Sequence, residues 1–271
     1  MEEAGLSFYE INKRVEETAR DVFERNWRED ELGGYVIPSE IPYRNQWFWD
    51  TCEIANGLRH IDVGRAQESL RRLTRAQWEN GMMPNMIFGS NSKSWDYPLV
   101  WSHRSTLSPP GVKTSGITQP PLLAEAVWKV GEVIENDDER LTWFGEMVGP
   151  IIGLHRWLYD ERDFGQDGLI TLLHPWESGM DNSPAWRRAL ESWDRSNIPQ
   201  RVAGSWAVGA VANLFRNDTG IKGLAKEERT SHQEAIDAVH LQQIMRLHRY
   251  DSARVYDTTG FGVEDVGFNS I

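Results

Sequence analysis

The chain carries two carboxylates four residues apart in a segment shaped by glycine and proline, residues 174–184 (HPWESGMDNSP). These are Glu177 and Asp181, and Trp176 lies directly before them. A carboxylic acid against an indole face in a partly dry pocket has a raised pKa, because burial disfavours its charged form. Such an acid stays protonated near neutral pH and can donate its proton to a leaving oxygen. The segment is therefore a candidate for acid catalysis.

The same segment has a structural interpretation. Asp181, Asn182 or Ser183 can cap a helix whose first turn holds Pro184. A capping loop and a catalytic loop can coexist in one segment. His174 and Glu177 are spaced like two metal ligands, but no second histidine follows at ligand spacing. We therefore predict no metal site.

A second cluster lies at residues 43–50 (YRNQWFWD). Trp47 and Trp49 could stack on sugar ring faces, since indole offers a large flat apolar surface. Asp50 could accept hydrogen bonds from sugar hydroxyls, and Tyr43 precedes this group. The alternative is a hydrophobic plug in which Asp50 is only the N-cap of a helix.

A weaker candidate is Gln119, which stands immediately before Pro120 and Pro121. Proline suits the first turn of a helix, so a helix is expected to open here. The Gln119 amide would then lie at the mouth of that helix, where it could contact a hydroxyl group.

Composition narrows the class of protein. The 271 residues contain 29 Lys and Arg against 41 Asp and Glu, a net charge of −12. This sign argues against a nucleic-acid backbone or an anionic membrane as partner. The N-terminus lacks a signal-peptide pattern, no apolar run is long enough for a membrane span, and Cys52 is the one cysteine. We therefore expect a cytoplasmic protein whose partner is neither nucleic acid nor membrane.

The dominant hydrophobic period is helical. No two-residue period recurs often enough to predict a sheet, and residues 135–140 (ENDDER) are interpreted as a solvated turn. Long polar and aromatic segments, such as residues 79–118, follow alternate helices. This pattern favours an all-α toroid of helical hairpins over a four-helix bundle, which uses short loops throughout. Helices are predicted at about residues 6–27, 50–60, 64–78, 120–134, 141–159, 184–193 and 228–248, and from about 262 onward, while residues 199–225 stay unassigned.

Taken together, these segments resemble glycoside hydrolase family 63, in particular its mannosylglycerate and glucosylglycerate hydrolase branch. The resemblance rests on residues 43–50, 80–86 (NGMMPNM), 118–121 (TQPP), 174–184 and 261–271 (FGVEDVGFNSI). It implies an (α/α)6 barrel and inverting hydrolysis of an α-glycosidic bond in a small carbohydrate, without a cofactor.

The resemblance also assigns roles to residues. Asp181 matches the general acid of the family, and Arg216 matches an arginine that meets the glycerate carboxylate. Glu177 is taken as a further substrate-binding residue. The residues that match the sugar subsite are Tyr43, Trp47, Trp49, Asp50, Gln119 and Trp176.

Length adds one further expectation. The chain holds about four helical hairpins, whereas six at the same spacing need about 400 residues. The general base of the family lies further along, so we expect residues 1–271 to be the N-terminal part of one catalytic domain. Two alternatives stay open at this point. One is a non-hydrolytic sugar-binding or scaffold protein, and the other is a sugar epimerase or isomerase.

Overall fold

The computed structural model of the protein describes residues 7–40, 43–89, 100–101, 105–181, 183–203, 212 and 231–271. These residues are mostly helical. The ten helices of the described part are α1 (Phe8–Asn26), α2 (Phe48–Leu58), α3 (Val63–Arg75), α4 (Leu123–Glu132), α5 (Asp137–Arg162), α6 (Pro184–Ser192), α7 (Gln200–Ala203), α8 (His232–Leu247), α9 (Ser252–Thr259) and α10 (Val266–Asn269). Two 3-10 turns occupy Pro175–Glu177 and Arg195–Asn197.

Helices α2 to α5 form the packed framework. Helix α2 lies against both α3 and α4, and α5 packs on α4 and contacts α3 and α9. Large apolar side chains from all four helices fill the space between them, and interiors packed in this way are held rigidly. Fully buried members of this core include Phe48, Leu58, Leu70, Leu73, Leu123, Val130, Trp143 and Leu154. None of the helices in the described ranges has the length and apolar character needed to span a bilayer.

Most predicted helices are confirmed to within a few residues, but α5 is longer than expected. It begins at Asp137, where the Asn136 side chain accepts from the Glu139 amide as a cap. Residues 137–140, interpreted as part of a solvated turn, are therefore its first turn. Acidic side chains suit this place because they face the positive end of the helix dipole.

The prediction that the chain contains no sheet is wrong. Strands β1 (Trp27–Asp30) and β2 (Gly33–Val36) form an antiparallel hairpin, and β3 (Gln46–Trp47) pairs antiparallel with β4 (Met86–Ile87). Strands of two to four residues are too short to show a repeating period.

The prediction of one helix from residue 262 onward is also wrong. Helix α9 ends at Gly260, whose φ of 57° is the left-handed conformation that closes helices. Only the four residues of α10 are helical after it.

Candidate active site

One side of the candidate site is built by β3 and the start of α2. Gln46 is buried, and its side chain donates to the Ser69 carbonyl at 2.8 Å and accepts from Arg72 at 2.6 Å. The Phe48 amide donates to the Asn85 carbonyl at 2.9 Å. These contacts fix the backbone on both sides of Trp47, so the positions of Trp49 and Asp50 follow from rigid elements.

Asp50 lies in the first turn of α2, and the N-cap position is Trp47. The N-cap interpretation of Asp50 is therefore wrong. Burial raises the pKa of Asp50 to about 6, and hydrogen bonding, including one bond with the Trp49 side chain, limits the rise. A carboxyl with this pKa exchanges its proton close to neutral pH.

Tyr43 lies beside this turn with 46% of its surface exposed, and its ring meets Trp47 edge-on with centroids 5.5 Å apart. Burial raises the pKa of the Tyr43 hydroxyl, and the negative charges of Asp181 and Asp50 raise it further. Because these charges act across space, the structure places Tyr43 within electrostatic reach of both carboxylates. Residues 43, 50 and 181 thus interact electrostatically although they are distant in the sequence.

The other side of the site is the loop of residues 173–181. Gly179 has a φ of 69°, and a Cβ added to it would lie 2.7 Å from Cζ2 of Trp49. The loop backbone therefore lies directly on the Trp49 indole, an approach that only glycine permits. Asp181 follows two residues later and is exposed, so the described residues do not give it the partly dry pocket that the sequence predicts for an acid in this segment.

Trp176 stands half-buried in this loop. Its ring centroid is 4.6 Å from that of His174 and 5.8 Å from that of Trp101. Burial lowers the pKa of His174 to about 4, so the imidazole is neutral at physiological pH. Its Nδ1 accepts from the Trp176 amide at 3.2 Å, and Nε2 lies 2.9 Å from the Ala238 carbonyl, which fixes the proton on Nε2.

Glu177 occupies a different place from the one predicted. It has no exposed surface, and its oxygens lie 2.8 and 2.9 Å from Nη2 and Nη1 of Arg162. Burial alone would raise the pKa of Glu177, but the Arg162 charge and hydrogen bonds from Arg162 and Leu173 outweigh it and lower the pKa. Glu177 is therefore a buried member of the loop, paired as an anion with Arg162, and presents no surface to a ligand.

Gln119 is 5% exposed, and its Oε1 accepts weakly from the Trp49 amide at 3.4 Å. The helix cap predicted for residues 181–183 is confirmed in its position but not in its hydrogen bond. Ser183 is the N-cap residue of α6 and Pro184 opens the helix, but within the described residues the Ser183 hydroxyl makes no capping bond. Arg216 and Asn182 lie outside the described residues.

Known proteins resemble this chain over most of its length. The model of the mannosylglycerate hydrolase MGH1-like glycoside hydrolase domain matches residues 43–271. The chain belongs to this family. The resemblance to family 63 that the sequence motifs indicated is thereby confirmed.

Individual relatives agree with the family match. A mannosylglycerate hydrolase of Thermus thermophilus is 35% identical over 257 residues, which cover 93% of this chain and 56% of that protein. Glucosylglycerate hydrolase of Mycolicibacterium hassiacum is 33% identical over 253 residues, covering 90% of this chain and 53% of that protein. The crystal structure of a family 63 mannosylglycerate hydrolase from T. thermophilus, in complex with Tris and D-glycerate, superposes with a TM-score of 0.71 at 30% identity, covering 94% of this chain and 55% of that one. The chain spans about half the length of the curated relatives it matches.

Sequence reasoning missed Arg162, the partner of Glu177. The two residues are fifteen positions apart, on a helix and in a loop, and neither spacing nor composition links them. The one available signal was the position of Arg162 at the end of a long helix. A charged residue at such a position is usually interpreted as lying on the surface. In the described residues, no group of three or more His, Cys, Asp or Glu side chains is arranged to hold a metal ion.

Proposed function

We propose that this family member is a glycoside hydrolase that cleaves a small sugar–glycerate compound, either mannosylglycerate or glucosylglycerate. One observation carries the proposal. The loop that leads to Asp181 lies on the Trp49 indole at Gly179, and Asp181 and Asp50 both act on Tyr43. These contacts support placing Asp181, Trp49, Asp50 and Tyr43 in one substrate site.

In this proposal Asp181 is the general acid. It is exposed, so a substrate can reach it, and its proton goes to the glycosidic oxygen as the bond to the sugar breaks. Trp49 and Trp176 hold the apolar faces of the sugar ring. Asp50, whose pKa is about 6, forms hydrogen bonds with the sugar hydroxyls. Arg216 is proposed to bind the glycerate carboxylate.

We further propose that the reaction inverts the anomeric carbon. Inversion uses a second carboxylate about 6.5–9.5 Å from the acid, with a water molecule between them. Glu177 is buried and forms an ion pair with Arg162, so it cannot serve as this base. The proposal places the base in the part of the relatives' length that residues 1–271 do not span. The described helices would then form about four of the six hairpins of an (α/α)6 barrel.

The direct test is hydrolysis of mannosylglycerate and glucosylglycerate by the full product of the gene, followed by proton NMR of the released sugar. The expected first product is the β-anomer, because inversion of an α-linkage gives it. Asp181→Asn should reduce kcat by about 100-fold or more, since removing general acid catalysis costs 10²–10⁴. Asp160→Asn, at an exposed position of α5, is the matched control and should retain activity. Full activity of Asp181→Asn would contradict the assignment of the acid.

A second test uses residues 1–271 alone. Azide is an anionic nucleophile that needs no base, so it can replace the activated water. With azide, the chain should convert an α-glycoside to the β-glycosyl azide, while Asp181 protonates the departing alcohol. Without azide it should not hydrolyse the same substrate. Sustained hydrolysis by residues 1–271 would contradict the position proposed for the base.

A further inference from the structure

The Glu177 carboxylate collects hydrogen-bond donors from three separate segments. Arg162, at the end of α5, supplies two donors at 2.8 and 2.9 Å. The Leu173 amide, at the start of the loop, donates at 2.8 Å. The Thr118 amide, in the segment before α4, donates to the same group at 3.5 Å. One buried carboxylate thus connects a helix, the loop and the segment that carries Gln119.

Arg162 is itself fixed to the framework. Its Nε donates to the Ser252 hydroxyl at 3.0 Å at the start of α9, and its guanidinium lies 4.9 Å from the Trp157 ring centroid. Its side chain is 3% exposed. Because contacts with α5 and α9 hold the Arg162 side chain in place, they also fix the position of the Glu177 carboxylate that pairs with it. A second anchor comes from His174, which reaches the Ala238 carbonyl on α8.

Two of the connected segments carry residues of the proposed sugar subsite. Trp176 is adjacent to Glu177 in the chain. Gln119 is adjacent to Thr118 and accepts from the Trp49 amide. We propose that Glu177 is a positioning residue: paired with Arg162, it sets the placement of Trp176 and Gln119 relative to Trp49, and does not touch the substrate. Its effect on catalysis rests on the proposed glycosidase function, whereas its effect on placement does not.

The four N–H groups that the three partner residues supply require a carboxylate at this position. Each partner is an N–H donor, so both oxygens must accept. In Glu177→Gln the amide NH2 would face N–H groups, leaving buried donors opposed to one another. In Glu177→Asp the charge is kept, but the carboxylate retracts by one methylene and cannot reach all three segments. The two substitutions therefore separate the loss of charge from the loss of reach.

The protein contains a matched control in the pair Arg72–Asp30. Its Nη2 and Oδ2 atoms are 2.6 Å apart, its side chains are 0% and 5% exposed, and the Tyr35 ring covers the guanidinium. This pair joins α3 to β1, and among the contacts of the described residues it makes none with the loop of residues 173–181. Arg72 also donates to Gln46 on the α2 side of the site, so the pair is a control for the Trp176 resonance and not for activity. Asp30→Asn removes a comparable buried charge without disturbing the segments that carry Trp176 and Gln119.

The experiment is ¹⁹F NMR of the protein labelled with 5-fluorotryptophan, with the Trp176 resonance assigned through Trp176→Phe. Glu177→Asp and Glu177→Gln should move or broaden the Trp176 resonance, while Asp30→Asn should leave it in place. Where Glu177→Gln does not fold, Glu177→Asp decides. An unchanged Trp176 resonance in folded Glu177→Asp overturns the proposal, and so does an equal change in Asp30→Asn.

Kinetics on the full product of the gene give the second measurement. Glu177→Asp should reduce kcat/KM by about 100-fold, the loss that follows a displacement of about 1 Å in a substrate-positioning group. Asp160→Asn, at an exposed position of α5, should retain kcat/KM. Wild-type kcat/KM in folded Glu177→Asp overturns the catalytic part of the proposal. Absence of activity in the wild type would instead reject the proposed function and leave the NMR result valid.

Discussion

Each side of the candidate site contains a carboxyl group that is at least partly buried, and the pKa values of the two groups are shifted in opposite directions. On the loop side, Glu177 is fully buried, and N–H groups donate hydrogen bonds to both of its carboxylate oxygens. Its pKa is lowered. On the α2 side, Asp50 is half-buried, and burial raises its pKa to about 6. A buried charge that is fully paired within the fold stabilises the fold. A carboxyl whose charged form is only partly stabilised by the fold can interact with a ligand, and groups with perturbed pKa values concentrate at functional sites.

The two carboxyls also link stability to pH with opposite signs. The lowered pKa of Glu177 means that its contribution to stability is present above the ordinary glutamate pKa and is lost as pH falls through the folded value. The raised pKa of Asp50 means that its contribution is present below pH 3.8 and is lost as pH rises through about 6. Substitutions at the two positions should therefore give opposite changes in stability near neutral pH.

The largest effect is expected at Glu177. Glu177→Gln leaves the buried Arg162 charge without its partner, which typically costs about 3–5 kcal/mol. The measurement is the free energy of unfolding from urea denaturation at pH 7. A loss below about 1 kcal/mol would show that water replaces the carboxylate and that the two sides of the site differ less than the contacts indicate.

Asp50→Asn should have the opposite sign. A rise in pKa from 3.8 to about 6 corresponds to at most about 3 kcal/mol. The variant should gain up to that amount relative to the wild type at pH 8, and the gain should vanish near pH 4. It should also weaken sugar binding, because Asp50 is the residue proposed to meet the sugar hydroxyls. Equal stabilities of the two proteins at pH 5 and pH 8 would contradict the raised pKa.

The smallest effect concerns the contact that joins the two sides. Gly179→Ala introduces a Cβ both at positive φ and against Trp49, and should cost about 1–3 kcal/mol. Gly168→Ala is its control, since Gly168 has a φ of 86° but nothing within 4 Å of an added Cβ. The difference between the two losses, each taken from urea denaturation, measures the contact with Trp49. Equal losses would mean that the loop moves away from the indole at little cost.

Much of this could be predicted from the sequence. Helical periodicity indicated α2, α3 and α4 because each of them buries apolar side chains along one face. The motif at residues 174–184 and the cluster at residues 43–50 identified both sides of the site. These signals are local, so a single sequence contains them.

What the sequence could not provide depends on tertiary contacts. The strands β1 to β4 exist because pairing across space stabilises segments too short to show a period. The pairing of Glu177 with Arg162 needs α5 and the loop to meet, and the raised pKa of Asp50 needs the burial that the fold supplies. The same residue types on the surface would show neither property.

The central claim is that Asp181 faces a bond between a sugar and its neighbour. The most direct test is a crystal structure of the Asp181→Asn variant of the full gene product with intact mannosylglycerate or glucosylglycerate bound. The side chain at position 181 should lie within about 2.6–3.2 Å of the glycosidic oxygen, with the sugar against Trp49 and Trp176. A ligand bound elsewhere, or a glycosidic oxygen out of hydrogen-bond reach of position 181 and of any bridging water, would contradict it.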